Sequence, residues 1–68
     1  MRIVVNGQAT DLEPGATLAE VLLRLGVDPS GAGIAVARNG AVVPRGAWPA
    51  TELAEADRVE VLGATQGG

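Results

Sequence analysis

The sequence contains no cysteine, no histidine and no lysine, and Trp48 is its only aromatic residue. Without thiols and imidazoles, the chain has no disulfide, no zinc site built from those ligands, no thiol nucleophile and no histidine to transfer protons. The formal net charge is −3, whereas a nucleic-acid-binding protein usually has a basic face and, for single strands, stacking rings. These features argue against nucleic acid as a partner.

Long apolar runs are also missing. No stretch approaches the roughly 20 apolar residues of a membrane span, and the chain begins with a strand pattern rather than a signal peptide. We therefore expect no membrane association and a cytoplasmic location. At 68 residues the chain is predicted to be one small domain, stabilised by packing alone because no cross-link is available.

Five short runs of residues are predicted to be strands, and the first of them is apolar and β-branched. They lie at residues 1–5, 8–12, 34–38, 41–43 and 58–62. The dipeptides Asn6-Gly7 and Asn39-Gly40 each separate two runs, and they favour a hairpin turn in which both central residues have positive φ. The stretch 45–57 is predicted to be irregular, with at most one short helical turn.

One amphipathic helix is predicted between the two hairpins, at residues 17–25. Thr17 and Glu20 have the spacing of a capping box, and Gly26 is placed to end the helix in a left-handed conformation. Apolar side chains recur at i, i+3, i+4 and i+7 along one face: Leu18, Val21, Leu22 and Leu25. This stripe is predicted to pack against the sheet.

The predicted elements form an α+β domain at residues 1–62, in which a mixed sheet of four to five strands carries one main helix on one face. The sheet residues predicted to face the helix are Met1, Ile3, Val5, Ile34, Val36, Val43, Val59 and Val61. Residues 63–68 lack periodicity and large apolar groups. They are predicted to form a flexible C-terminal tail that ends in Gly-Gly.

The side chains contain no catalytic constellation, because the carboxylates are dispersed and no serine has a histidine partner. We therefore expect a protein that is not an enzyme and binds neither metal nor cofactor. The terminal carboxylate differs, since α-carboxyl groups have a reference pKa of about 3.3–3.7 and are therefore anions at neutral pH that can attack an activated phosphate. An enzyme could convert it to an acyl-adenylate, and a sulfur donor could then replace the AMP. Gly67 and Gly68, led by Thr65 and Gln66, can enter a narrow active site because glycine has no Cβ.

Several segments together resemble the ThiS family, the sulfur carriers of thiamine thiazole biosynthesis, within the ubiquitin-like β-grasp group. They are the segments 3–7, 17–25, 34–40 and 57–61, the run Val42-Val43-Pro44-Arg45 with Trp48 three residues on, and the terminal 64–68. The run from Val43 to Trp48 is the most specific. One departure is Ala56, which stands where the family usually has glycine and puts the type of the last turn in question.

The resemblance implies a fold in which the first and last strands are parallel at the centre of the sheet. It implies that Gly68 is adenylated by an E1-like enzyme of the ThiF type, which uses ATP, and that a sulfur-donor protein then supplies sulfur to form a thiocarboxylate. Thiazole synthase, of the ThiG type, would accept that sulfur. The carrier itself would catalyse nothing.

Two further predictions concern apolar side chains. Trp48 is expected to plug the open end of the sheet, with docking to a partner as the alternative. Val4, Ala35 and Leu62 are expected on the sheet face without the helix, where exposed aliphatic groups suggest a partner surface.

Other functions stay open at this point. The same chemistry could serve another pathway, as the small subunit of molybdopterin synthase or as a carrier for cysteine synthesis, although the segment from Pro44 to Trp48 argues against both. The chain could also be a non-catalytic β-grasp interaction module with an incidental Gly-Gly.

Overall fold

The computed structural model describes residues 1–28 and 33–63. In chain order the elements are β1 (Arg2–Val5), β2 (Gln8–Asp11), α1 (Leu18–Arg24), β3 (Ile34–Arg38), β4 (Ala41–Val42), a 3-10 helix (Arg45–Ala50) and β5 (Arg58–Gly63). All five predicted strands and the predicted helix are therefore present, with ends that differ by a residue or so. The short helical turn predicted in the irregular stretch is the 3-10 helix.

The five strands form one mixed sheet in the order β2-β1-β5-β3-β4. β1 and β5 lie side by side and parallel at its centre, whereas the other three pairs are antiparallel. Asn6 and Gly7 have φ values of 50° and 81°, and Asn39 and Gly40 have 51° and 86°, as a tight hairpin turn of this kind requires. The predicted fold class and the predicted parallel central pair are confirmed.

The helix begins and ends at the predicted signals. Thr17 accepts from the backbone N–H of Glu20, and the Glu20 carboxylate accepts from the N–H of Thr17, which completes the capping box. At the other end Gly26 has a φ of 78°. The N–H groups of Gly26 and Val27 donate to the carbonyls of Leu23 and Leu22, the pair of bonds that defines a Schellman motif.

The hydrophobic core lies between the helix and one face of the sheet. Its buried members are Ile3, Val5, Leu12, Leu18, Val21, Leu22, Val36, Trp48, Leu53 and Val59. The remaining sheet residues predicted to face the helix, Met1, Ile34, Val43 and Val61, are partly buried against this core. The prediction was wrong for Leu25, which is 46% exposed; the helix ends at Arg24, and Leu25 is its C-cap residue.

The connection between β4 and β5 closes the open end of the core. Trp48 is only 1% exposed, and its indole N–H donates to the carbonyl oxygen of Val43 at 2.8 Å. Leu53 is also buried in the core. Its N–H donates to the carbonyl of Ala16, which holds this segment next to the residues that precede α1. The structural role predicted for Trp48 is confirmed in that its side chain is buried in the core.

Two details near β5 refine the sequence predictions. Gly63 belongs to β5 and pairs with Ile34, so the strand extends one residue beyond its predicted end at Leu62. The rest of the predicted tail, residues 64–68, lies outside the described residues, and the tail stays a prediction. Ala56 has a φ of 71°, a left-handed conformation that costs a residue with a Cβ about 1–2 kcal/mol. The last turn thus keeps the backbone that a glycine would favour, although alanine occupies it.

Candidate functional site

The candidate site lies where β5 ends, because β5 is the central strand and its carboxyl end leads to the Gly-Gly terminus. β5 is held between β1 and β3, and its pairing with β3 continues to Gly63. The terminal segment, residues 64–68, follows directly. The predicted residues Thr65, Gln66, Gly67 and Gly68 belong to this segment and lie outside the described residues, so their role stays a prediction.

β5 has unequal support on its two sides near this end. On one side β3 pairs with five consecutive residues, from Val59 to Gly63. On the other side β1 pairs with Arg58 and Val59 and then turns away at Asn6. The backbone N–H of Asn6 still donates to the carbonyl of Val59 at 2.9 Å.

The side chain of Asn6 extends this pairing by one more step. Its Oδ1 accepts from the N–H of Val61 at 2.8 Å, and its Nδ2 lies 3.4 Å from the carbonyl oxygen of Val61. The amide group therefore bonds the N–H and the carbonyl of Val61, the two groups that the backbone of a longer β1 would bond. Asn6 also borders an open groove at the end of β5, with Leu25, Val27, Ile34, Val61 and Gly63.

A second polar cluster holds the start of β5. The buried carboxylate of Asp57 accepts from the backbone N–H of Ala54, from the Nε of Arg38 and from the Nδ2 of Asn39, at 2.8, 2.8 and 3.0 Å. Burial by itself would raise the pKa of Asp57, but the bonds from Ala54, Asn39 and Arg38 outweigh burial and hold it below its ordinary value of 3.8. Asn39 also accepts from the N–H of Arg58 at 2.9 Å.

The Asp57 cluster predicts a pH dependence of stability. Because the pKa of Asp57 is lower in the folded than in the unfolded protein, its stabilisation is present above about pH 4 and is lost as the pH falls through the folded value. We expect Asp57→Asn to lower the free energy of unfolding by about 2 kcal/mol at pH 7, as for other hydrogen bonds to a charged group.

Urea unfolding of both proteins between pH 7 and pH 2 measures this effect. The difference between them should shrink below pH 4. Asp11→Asn is the matched control, since Asp11 pairs with Arg2 on the exposed surface and its loss should change stability much less. If the free energy of unfolding of Asp57→Asn depended on pH in the same way as that of the wild type, Asp57 would not be the source of the pH dependence.

The face of the sheet opposite the helix carries the predicted partner surface. Val4 is half-buried, and Ala35 and Leu62 are exposed. Ala35 lies directly opposite Leu62 on the neighbouring strand, and Val4 lies on β1 across from Arg58 of β5. The three residues therefore share one face, and Leu62 is 66% exposed one residue before β5 ends. Their role in binding a partner stays a prediction.

The described residues contain little other candidate chemistry. In the ranges 1–28 and 33–63, no three acidic side chains are grouped so that they could hold a metal ion. None of the helices described there is long and apolar enough to cross a membrane.

Sequence reasoning missed the polar groups that hold β5. Asn6 and Asn39 were interpreted only as turn residues, and Asp57 only as part of a resemblance. A local signal existed, because asparagine combines tolerance of positive φ with an amide that can bond the backbone. Its actual partner, Val61, lies 55 residues away, and only the strand order could have identified it.

Comparisons with known proteins give a consistent result. The model of the ThiS family matches residues 3–68. The crystal structure of a thiamine biosynthesis protein (ThiS) from Geobacter metallireducens is 31% identical, with a TM-score of 0.80 over the whole of both chains. A solution structure of a thiamine biosynthesis protein from the same organism has a TM-score of 0.79, with 100% of this chain and 88% of that chain covered.

Two further relatives differ in length or in identity. A thiazole synthase from Magnetococcus marinus is 43% identical over 68 residues, and the chain spans only 20% of that protein's length. SAMP1 from Haloferax volcanii is 20% identical, with a TM-score of 0.62 over 98% of this chain and 97% of that one. At that identity the likeness to SAMP1 shows the fold alone.

Proposed function

The chain belongs to the ThiS family, and we propose that it carries sulfur for thiazole formation in thiamine biosynthesis, as a thiocarboxylate on Gly68. One observation carries the proposal. The central strand of the sheet runs to Gly63, and five residues ending in Gly67-Gly68 follow. A folded domain thus precedes a five-residue terminal segment, which we propose enters the active site of another protein.

The reach of the terminal segment suits this use. Five residues extend at most about 17 Å at ~3.3–3.6 Å per residue, which is enough to cross a channel into a buried active site. Two glycines at the tip can pass where a Cβ would collide with the channel wall. The domain would then act as the part that the partner enzyme binds, while the chain end carries the reactive group.

The proposed chemistry has two steps. A carboxylate oxygen of Gly68 attacks the α-phosphorus of ATP, so that an acyl-adenylate forms and pyrophosphate leaves. A sulfur nucleophile at the oxidation level of sulfide, supplied by a donor protein, then attacks the acyl carbon. AMP leaves with the adenylate oxygen, and the thiocarboxylate remains. The carrier provides the carboxyl group and the E1-like enzyme provides catalysis, so the carrier is a co-substrate and binds no cofactor of its own.

The thiazole synthase from Magnetococcus marinus supports the choice of acceptor, because one fifth of that polypeptide is similar to this whole chain. We propose a thiazole synthase of the ThiG type as the protein that takes the sulfur, and an activating enzyme of the ThiF type as the source of the adenylate. The proposal puts the carrier in the cytoplasm, since adenylation requires ATP.

Intact-mass measurement tests this function. Incubation with a ThiF-type enzyme, ATP and a sulfur source should raise the mass by about 16 Da, because one oxygen is replaced by sulfur. The thiocarboxylate form should then support product formation by thiazole synthase, and not by the acceptors of molybdopterin or cysteine synthesis. An unchanged mass, with an activating enzyme that converts its own carrier, would favour a non-catalytic interaction module.

The partner surface around Leu62 leads to a separate prediction. Leu62→Asp should raise the KM of the activating enzyme for the carrier about tenfold, since removal of an apolar anchor from an interface costs at least ~1–2 kcal/mol. Leu23→Asp is the matched control, because Leu23 is 63% exposed, close to the 66% of Leu62, but lies on the helix. Steady-state kinetics of AMP release measure both variants. Equal KM values for the two variants would exclude this face as the binding surface.

A further inference from the structure

Asn6 holds the last part of β5 by its side chain, next to the point where the terminal segment leaves the sheet. We propose that Asn6 is a positioning residue for sulfur loading: its amide fixes Val61, and so sets the origin and direction of the chain that carries Gly68. The proposal rests on the proposed function above. Asn6 itself touches no reacting atom.

The geometry shows what the amide replaces. The backbone N–H of Asn6 makes the last main-chain bond from β1 to β5, to the carbonyl of Val59 at 2.9 Å. The next bonding position on β5 is Val61, and there Oδ1 of Asn6 accepts the N–H at 2.8 Å. The chain can therefore turn away at Asn6 without leaving Val61 unpaired on that side.

The support beyond Val61 is one-sided. Leu62 pairs with Ala35 and Gly63 pairs with Ile34, both on β3, and β1 pairs with nothing after Val59. Without the Asn6 amide, the last three residues of β5 would be bonded along one edge only. Fraying of that edge would loosen the relation between the sheet and the residues that follow Gly63.

The position of Leu62 shows why the placement of the terminal segment relative to the sheet is important. Leu62 follows Val61 directly and lies one residue before the end of β5, and it is a member of the predicted partner surface that is 66% exposed. An enzyme that binds this face and accepts the chain end needs the distance between them to be constant. A misplacement of about 1 Å can cost a reaction as much as 10²-fold.

The second hairpin provides an internal control. Asn39 has nearly the same φ as Asn6, 51° against 50°, and its Oδ1 also accepts a backbone N–H of β5, from Arg58 at 2.9 Å. Arg58 begins β5, whereas Val61 lies near its end. Loss of the Asn39 side chain therefore weakens the same strand at the end remote from the terminal segment.

The test compares three variants. Asn6→Gly keeps the positive φ and removes both side-chain bonds. Asn6→Asp keeps an acceptor for the N–H of Val61, so it is the conservative variant and also covers the case in which Asn6→Gly fails to fold. Asn39→Gly is the control. Two quantities are measured for each variant. The first is the rate of hydrogen exchange at the Val61 amide in the free protein, and the second is the rate of AMP release by the ThiF-type enzyme.

We expect Asn6→Gly to speed exchange at Val61 about fivefold, as loss of one ordinary hydrogen bond implies, and to raise KM roughly fivefold with little change in kcat. Asn6→Asp should return both quantities most of the way to wild type. Asn39→Gly should lower overall stability and leave KM unchanged.

Each of three results would overturn the inference. They are an unchanged KM for Asn6→Gly, an equal rise in KM for Asn39→Gly, and a KM for Asn6→Asp that stays as high as that of Asn6→Gly. Failure of the wild-type protein to gain mass would instead overturn the proposed function. The exchange measurement needs no enzyme. Unchanged exchange at Val61 in Asn6→Gly would therefore show that the Asn6 amide does not hold Val61, even if the proposed function were wrong.

Discussion

Deletion of Gly68 should abolish the mass gain of about 16 Da that marks sulfur loading. The shortened chain still ends in a carboxylate, on Gly67, so the chemistry of the terminal group is unchanged. The position of the carboxylate does change, because a chain that is one residue shorter reaches ~3.3–3.6 Å less far. Since even a misplacement of about 1 Å can cost 10²-fold in rate, we expect no detectable thiocarboxylate after a reaction time that converts the wild type completely.

Two companion variants separate length from shape. Gly68→Ala keeps the chain length and adds a Cβ, and a chain with one glycine added after Gly68 keeps the flexibility and changes the length. Both should load at least 10²-fold more slowly than wild type. All three changes lie beyond β5, so the urea midpoint of unfolding should not move. Loading of the deletion variant at the wild-type rate would exclude Gly68 as the modified residue.

Truncation of Trp48 should have the largest effect on stability. Trp48 is 1% exposed and is the only ring in the core, and Trp→Ala in a core costs about 3–5 kcal/mol. A domain of this size has a total stability of roughly 3–10 kcal/mol. We therefore expect Trp48→Ala to be largely unfolded, or close to it, at 25 °C.

Circular dichroism during urea unfolding is the suitable measurement, because the substitution removes the only strong fluorophore. Trp48→Phe retains most of the volume and loses the hydrogen bond to Val43, so it should cost less, about 1–2 kcal/mol. Val42→Ala is the control, since Val42 is 75% exposed and should change stability by under ~0.5 kcal/mol. A stable Trp48→Ala protein would mean that the core does not need the indole for its stability.

The features that the sequence predicted well are those with local causes. The capping box of Thr17 and Glu20, the left-handed Gly26 and the two Asn-Gly turns each depend on residues at most a few positions apart. The alternation along β5 identified Val59 and Val61 as core-facing in the same way. Each of these signals is complete within one element, so no tertiary information was needed.

The features that it missed depend on contacts between distant segments. Burial of Leu53 and the pairing of Asn6 with Val61 follow from where the elements pack, not from the neighbouring sequence. Leu25 fitted the helical spacing, but the spacing alone did not show that the helix ends one residue earlier, at Arg24, and leaves Leu25 46% exposed. The strand order came from the resemblance to a family, because short strands of similar composition do not specify their neighbours.

The parallel arrangement of β1 and β5 has a practical consequence. Two neighbouring parallel strands run in the same direction. Met1, which precedes β1, therefore lies at the opposite end of the strands from Gly63, which ends β5. The amine of Met1 donates to the carbonyl of Leu12, and an amide N–H at the same atom could still do so. An affinity handle joined ahead of Met1 would thus point away from the loaded terminus, which makes that end the suitable anchor for immobilising the carrier in binding measurements.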